Sequence, residues 1–231
     1  MKKIIIAGFW LLVTVFCQAQ ENFSRGEALL MQNKPVEAIV YLLNALSDDN
    51  SNTKAYLYLG IVYEQLGSPS EAVAVYRRAL PIAGNYSAVV ANNLGNVYFQ
   101  IGNNEMAEQY YSQAIGLNSA FSKAYLGRAN TRLKAGNLKH AVSDYEQYLT
   151  IEPHAAQKSK IEQLVTLIKT EFAEEERKRI IAEEEARRIA EERQRLLDSV
   201  SASLHSAADL SKSLSSGAEN FEQYDGEFEL D

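Results

Sequence analysis

The chain is poor in the residues that carry chemistry or cross-link a fold. Of 231 residues only Cys17 is a cysteine and three are histidines. That excludes an intrachain disulfide and any zinc site built on several thiolates. His140, His154 and His205 sit far apart with no ligand-type spacing, and no glycine-rich phosphate loop accompanies them. Abundant carboxylates fall on charged helix faces, and no nucleophile–base constellation appears. The expectation is no enzyme, no metal and no cofactor. Proline is scarce, at 4 residues, so long stretches can stay helical. Positive charge is not in excess: 23 Lys and Arg face 30 Asp and Glu, for a net charge of −7. This argues against a nucleic-acid surface.

Long apolar runs are lacking too, with one exception. Ile4–Phe16 follows Lys2 and Lys3 and precedes Cys17-Gln18-Ala19, the pattern of a signal peptide over 1–19 cleaved after Ala19. As a helix this run spans about 20 Å, short of the ~30 Å hydrocarbon core. The expectation is an exported chain acting in the periplasm or cell envelope. A retained N-terminal membrane anchor is the alternative, and bulky Phe16 opposes lipidation of Cys17.

What the chain does have is repetition. "AYLYLGIVYEQLG" from Ala55 and "AVVANNLGNVYFQIG" from Ala88 share one phrase. In phase with it stand Gly26, Gly60, Gly95 and Ala129, spaced by 34, 35 and 34 residues. Ala38, Ala72, Ala107 and Ala141 follow 12 residues after each, and Leu42, Tyr76, Tyr111 and Tyr145 four further on. Asn33, Gly67, Gly102 and Gly136 are predicted helix stops in the left-handed conformation. Pro35 and Pro69 suit the first turn of the next helix. The physical reading is paired antiparallel helices. Gly60 and Gly95 would lie at helix contacts with Ala72 and Ala107 as small partners, and Tyr63, Tyr98, Tyr76 and Tyr111 would carry the buried area. "PIAGNYSAV" holds one extra residue, a lengthened turn before Ala88.

This register resembles the tetratricopeptide repeat over residues 20–155, in four units of about 20–52, 53–87, 88–121 and 122–155. The first unit is worn, with Asn22 and Arg25 at pattern positions. The fourth has Arg128 and Arg132 where Leu and Tyr would stand. The fold implied is all-α: a right-handed solenoid closed by a capping helix over 156–172, whose Ile161, Leu164, Val165, Ile168 and Phe172 recur at helical spacing.

A charged helix over 173–213 follows. Glu174–Lys178, Glu175–Arg179, Glu183–Arg187, Glu184–Arg188 and Glu191–Arg195 are i,i+4 pairs. Ala182, Ala186, Ile189, Leu196, Val200, Ala207 and Leu214 form a weak coiled-coil seam if Arg193 and Ser203 are admitted. A solvated single helix, self-association through 173–213 and docking onto another protein all remain open. The tail 214–231 is acidic and aromatic. It reads as a disordered end, a short linear motif, or a hairpin at "YDGE".

The resemblance implies a concave groove, lined by the first helix of each pair, that binds a peptide or protein segment. The residues facing it should be Glu27 and Met31, then Lys54, Tyr58, Ile61 and Gln65. Asn92, Asn93, Asn96 and Gln100 follow in the third unit, and Lys123, Asn130 and Lys134 in the fourth. Asn96 and Asn130 hold equivalent places, and each could offer a donor and an acceptor to a ligand backbone. Leu57, Ile61 and Gly127 occupy three polar places of the carboxylate clamp found in some family members. The expected function is a non-catalytic scaffold for protein partners. The alternatives are a structural protein acting through its long helix, or an accessory subunit of an envelope complex.

Overall fold

The computed structural model describes residue 18 and residues 20–219. The signal segment and the tail motif therefore lie outside the described residues, apart from the stretch before residue 220. Eight helices form four antiparallel pairs: α1 (residues 20–31) with α2 (Pro35–Asp48), and α3 (Thr53–Gln65) with α4 (Pro69–Ala79). After them come α5 (Ser87–Gln100) with α6 (Asn104–Leu117), and α7 (Ser122–Lys134) with α8 (Leu138–Ile151). A ninth, α9 (Lys158–Glu219), follows. Among the described residues no helix is long and apolar enough to cross a membrane.

Each first helix stops in the same way. Asn33, Gly67, Gly102 and Gly136 have φ of 58°, 69°, 80° and 78°. After each, the next N–H reaches back five residues: Lys34 to Leu29, Ser68 to Tyr63, Asn103 to Tyr98 and Asn137 to Arg132. These bonds satisfy carbonyls that the helix end leaves open. Asn52 and Asn103 cap the following helices, their Oδ1 atoms accepting from the N–H groups of Ala55 and Met106. The lengthened turn resolves into two short 3-10 segments, Leu80–Ile82 and Gly84–Tyr86.

The packing corrects one detail of the sequence reading. A Cβ on Gly60 would strike the Tyr76 ring, and one on Gly95 would come within 2.7 Å of the Tyr111 ring. The glycines thus face tyrosines rather than the alanines, because the ring is what needs the missing side chain. Ala38, Ala72, Ala107 and Ala141 are fully buried nearby. Gly127, on α7, also lies against Tyr111, since a Cβ there would meet that ring. Tyr76, Tyr111 and Tyr145 are the large buried side chains. Tyr63 and Tyr98 are only partly buried; Tyr98 stacks on Tyr110 with centroids 5.4 Å apart. They stand near the helix ends, where less of the neighbouring repeat reaches them.

Arg128 and Arg132 leave the repeat pattern because they build an ion network. Arg128 grips Asp144 with two parallel bonds of 2.9 and 2.7 Å and donates to Ser112 Oγ. Arg132 donates to Asp144 Oδ2 and Glu108 Oε1, each at 2.7 Å. Asp144 is 3% exposed. The network joins α6, α7 and α8, and removing the Asp144 carboxylate would leave Arg128 without an ion partner and Arg132 with Glu108 alone, at a typical cost of about 3–5 kcal/mol.

The chain divides into two compact units, Met1–Ile168 and Lys169–Asp231. Within the first, Ile161, Val165 and Ile168 of α9 are buried. The second is helix as far as Glu219, past the expected end at 213. No break separates the expected cap from the charged helix: α9 is one helix of 62 residues, and neither proline nor glycine interrupts it before Gly217. Its ion pairs differ from the expected set. Arg179 meets Glu176 at 2.6 Å and Glu183 at 3.5 Å, Arg188 meets Glu185 at 2.7 Å, and Arg187 meets Glu191 at 3.9 Å. Three- and four-residue neighbours are about equally close on a helix, and exposed rotamers choose between them at little energetic difference.

Two glycine substitutions should act with opposite signs. Gly60→Ala gains helix propensity but drives a methyl into Tyr76, for a net loss of about 1–3 kcal/mol. Gly116→Ala, in α6 with nothing within 4 Å of its added Cβ, should stabilise by roughly 0.4–1 kcal/mol. Urea unfolding of both variants checks the pair.

Candidate binding groove

The first helices of the pairs place most of the expected groove residues on one side of the array, but the structure brings only some of them together. Asn92 and Asn96 on α5 and Lys123 and Asn130 on α7 line a cleft of about 290 Å³. Phe99, Tyr111, Leu126 and Gly127 complete it. Lys134 stands over the Phe99 ring at 5.0 Å from its centroid. Lys54, Tyr58, Ile61 and Gln65 belong to α3 and line no part of this cleft; Lys54 and Gln65 are exposed, as is Gln100 at the end of α5. Met31 is exposed on α1.

Tyrosine hydroxyls from the second helices reach through to this side, and each finds an acceptor on a first helix. Tyr111 Oη donates to Asn96 Oδ1 at 2.8 Å, and Tyr145 Oη to Asn130 Oδ1 at 2.7 Å. In the second unit Ile61 stands at the equivalent place and has no acceptor. There Tyr76 Oη donates to Glu64 Oε1 at 2.6 Å, one turn further along, while Asn93 Nδ2 donates to Tyr76 Oη at 3.4 Å. Tyr58 Oη donates to Glu27 Oε1 at 2.7 Å. Burial pushes the Tyr76, Tyr111 and Tyr145 hydroxyls upward, so all three stay protonated donors.

These bonds correct the expectation for Asn96 and Asn130. Both side-chain carbonyls are engaged inside the fold, which leaves their amide N–H groups for a ligand. The groove therefore offers donors, with Lys123 adding a charge at its edge.

Asn92 departs further from expectation. It is 5% exposed rather than displayed. Its repeat equivalents are Phe23, Leu57 and Leu126, so a polar amide stands in an apolar register position. Asn92 Nδ2 lies 3.5 Å from Asn93 Oδ1, and Asn92 Oδ1 has no partner among the described residues. A buried amide left open in this way typically costs about 1–3 kcal/mol. The mismatch with its repeat-mates was readable in the sequence, whereas Phe99 and Leu126 gave no sign beyond ordinary apolar periodicity. No group of three or more His, Cys, Asp or Glu among the described residues converges as metal ligands would.

Profiles described as tetratricopeptide repeat match residues 52–120 and 92–156. Residues 52–156 thus form a tetratricopeptide-repeat array. RNA polymerase II-associated protein 3 of Xenopus laevis is 30% identical over 109 residues, covering 47% of this chain and 16% of that protein. Protein O-mannosyl-transferase TMTC3 of Mus musculus is 38% identical over 145 residues, covering 57% and 16%. The chain therefore spans only a small part of these curated relatives. Among solved structures, MamA aligns with a TM-score of 0.59 at 22% identity, over 66% of this chain and 83% of that one. YrrB, described as having an unusual peptide-binding site, aligns at 0.53 and 23%, over 64% and 76%. At these identities the likeness is one of fold.

Glu64 supplies a pH signature. Burial raises its carboxyl above the ordinary range, while the Tyr76 hydrogen bond works the other way. A raised folded-state value means the folded protein holds that proton more tightly. Its stabilising contribution is thus full below the unfolded value and is lost as pH rises through the folded one. Glu64→Gln keeps an acceptor for Tyr76 and removes the titration. Denaturation midpoints between about pH 3.5 and about 7 should show wild type losing stability relative to the variant as pH rises.

Proposed function

We propose that this chain is a non-catalytic scaffold that captures an extended peptide segment of another protein in the cleft between α5 and α7. The observation that carries this reading is Asn92, a buried amide with an open carbonyl at a position where the other repeats hold apolar side chains. Natural folds retain such groups where something satisfies them. A peptide backbone does so well, having a donor and an acceptor at every residue. The free amide N–H groups of Asn96 and Asn130 suit its carbonyl oxygens. Lys123 favours an acidic neighbour along the ligand. Peptide binding by YrrB shows that the same architecture accommodates such a ligand elsewhere.

Export belongs to the same reading, with the periplasm or cell envelope as the place of action. It is supported by Lys2, Lys3, the apolar run Ile4–Phe16 and the small residue Ala19. N-terminal sequencing of the protein recovered from cells should begin at Gln20; a chain beginning at Met1 would indicate a retained anchor.

Asn92→Leu restores the residue type of the neighbouring repeats and tests the groove. Peptides selected from a random display library on the wild-type protein serve as the probe. The variant should melt at the same temperature or higher, because the open amide is gone. Its affinity for those peptides, read by calorimetry, should fall at least about tenfold, equivalent to 1.4 kcal/mol. Unchanged affinity in a folded variant would place the binding surface elsewhere.

A further inference from the structure

The apolar stripe on α9 is not absorbed by the groove. Stepping alternately by four and three residues from Ile161, one frame runs through Val165, Ile168 and Phe172, crosses Glu175 and Arg179, and resumes at Ala182. Ile161, Val165 and Ile168 are buried in the repeat unit. The same frame therefore continues, beyond two charged positions, along a surface that nothing among the described residues covers. Ile189, Leu196, Leu197, Val200, Leu204 and Leu210 are each at least 50% exposed. Six large apolar side chains along one helical stripe form a partner surface rather than a solvated face.

We propose that this stripe pairs with a second copy of itself, antiparallel, with the two-fold axis beside residue 198. Size and charge along the stripe select that arrangement. With the axis there, Ala186 lies opposite Leu210 of the second copy, and Ile189 opposite Ala207. Leu196 then meets Val200, and Arg193 meets Ser203. Every small residue faces a large one and the two polar positions share a layer, so the core fills evenly. On one flank Leu197 meets its own counterpart and Ala190 meets Leu204. On the other, Glu192 faces Ser206 and Ser199 faces Ser199. No like charges are brought together.

A parallel pair would set Ala186 on Ala186 and Ala207 on Ala207, leaving gaps. It would also press Arg193 against Arg193 in the seam, a repulsive layer. The flanking leucines would then face glutamate and serine instead of each other. Overlap over 186–210 spans about 37 Å of helix and ends short of the residues buried in the repeat unit. The stripe is thus self-complementary in one direction only.

Sedimentation equilibrium of the full chain should show a species of twice the 25.8 kDa chain mass that dissociates on dilution. Leu196→Lys should raise the dissociation constant at least about tenfold while leaving the melting of the repeat unit unchanged. Register is read by disulfide trapping in a Cys17→Ser background. Leu197→Cys should cross-link to itself. Ile189→Cys should not, but should cross-link when mixed with Ala207→Cys. A monomer at every concentration would overturn the proposal. So would a trimer, or self-cross-linking of Ile189→Cys, which marks a parallel pair.

Discussion

A tyrosine ring lying against a glycine Cα sets the distance between the two helices of a repeat, and much of the array depends on that contact. Tyr76 on Gly60 and Tyr111 on Gly95 bring their helix pairs closer than any Cβ would allow. The flanking alanines are buried because the rings have already drawn the axes together. Repeats one and four solve the same problem with other pairs: Leu42 against Gly26, and Tyr145 in a unit whose register position holds Ala129. In the third unit two glycines meet one ring, since Gly127 of the next repeat also lies against Tyr111. A single side chain there fixes the spacing within a repeat and between repeats.

The same tyrosines shape the groove. A ring that crosses the helix pair carries its hydroxyl to the far side, and a buried hydroxyl must find an acceptor. Asn96, Asn130 and Glu64 supply it, and doing so commits one acceptor position of each within the fold. The surface left for a ligand is consequently biased toward donors. Packing in the core thus sets the polarity of the face that borders it.

The register and the helix stops were legible because each recurs four times, and the packing glycine three times; repetition makes a local signal unambiguous. Asn33, Gly67, Gly102 and Gly136 adopt the positive φ that their spacing implied. What the glycines touch was not legible, since alanine and tyrosine both recur in phase with them and only geometry separates the two. Arg128 and Arg132 read as defects because their partners lie 12 to 24 residues away on other helices. No short-range pattern connects such residues. In the groove, Asn96 and Asn130 were identified as polar side chains of the first helices, but their use by Tyr111 and Tyr145 follows only from the approach of the second helices. Asn92 could have been found by comparing it with Leu57 and Leu126.

The Arg128–Asp144–Arg132 cluster has a consequence for how the array opens. An apolar junction can loosen by degrees, because each contact contributes little and none depends on direction. A buried bidentate pair cannot: half-broken, it leaves charge without water or partner. Helices α6, α7 and α8 share that cluster, so their amide protons should exchange together rather than helix by helix. The C-terminal part of the solenoid should therefore release in one step rather than loosen gradually.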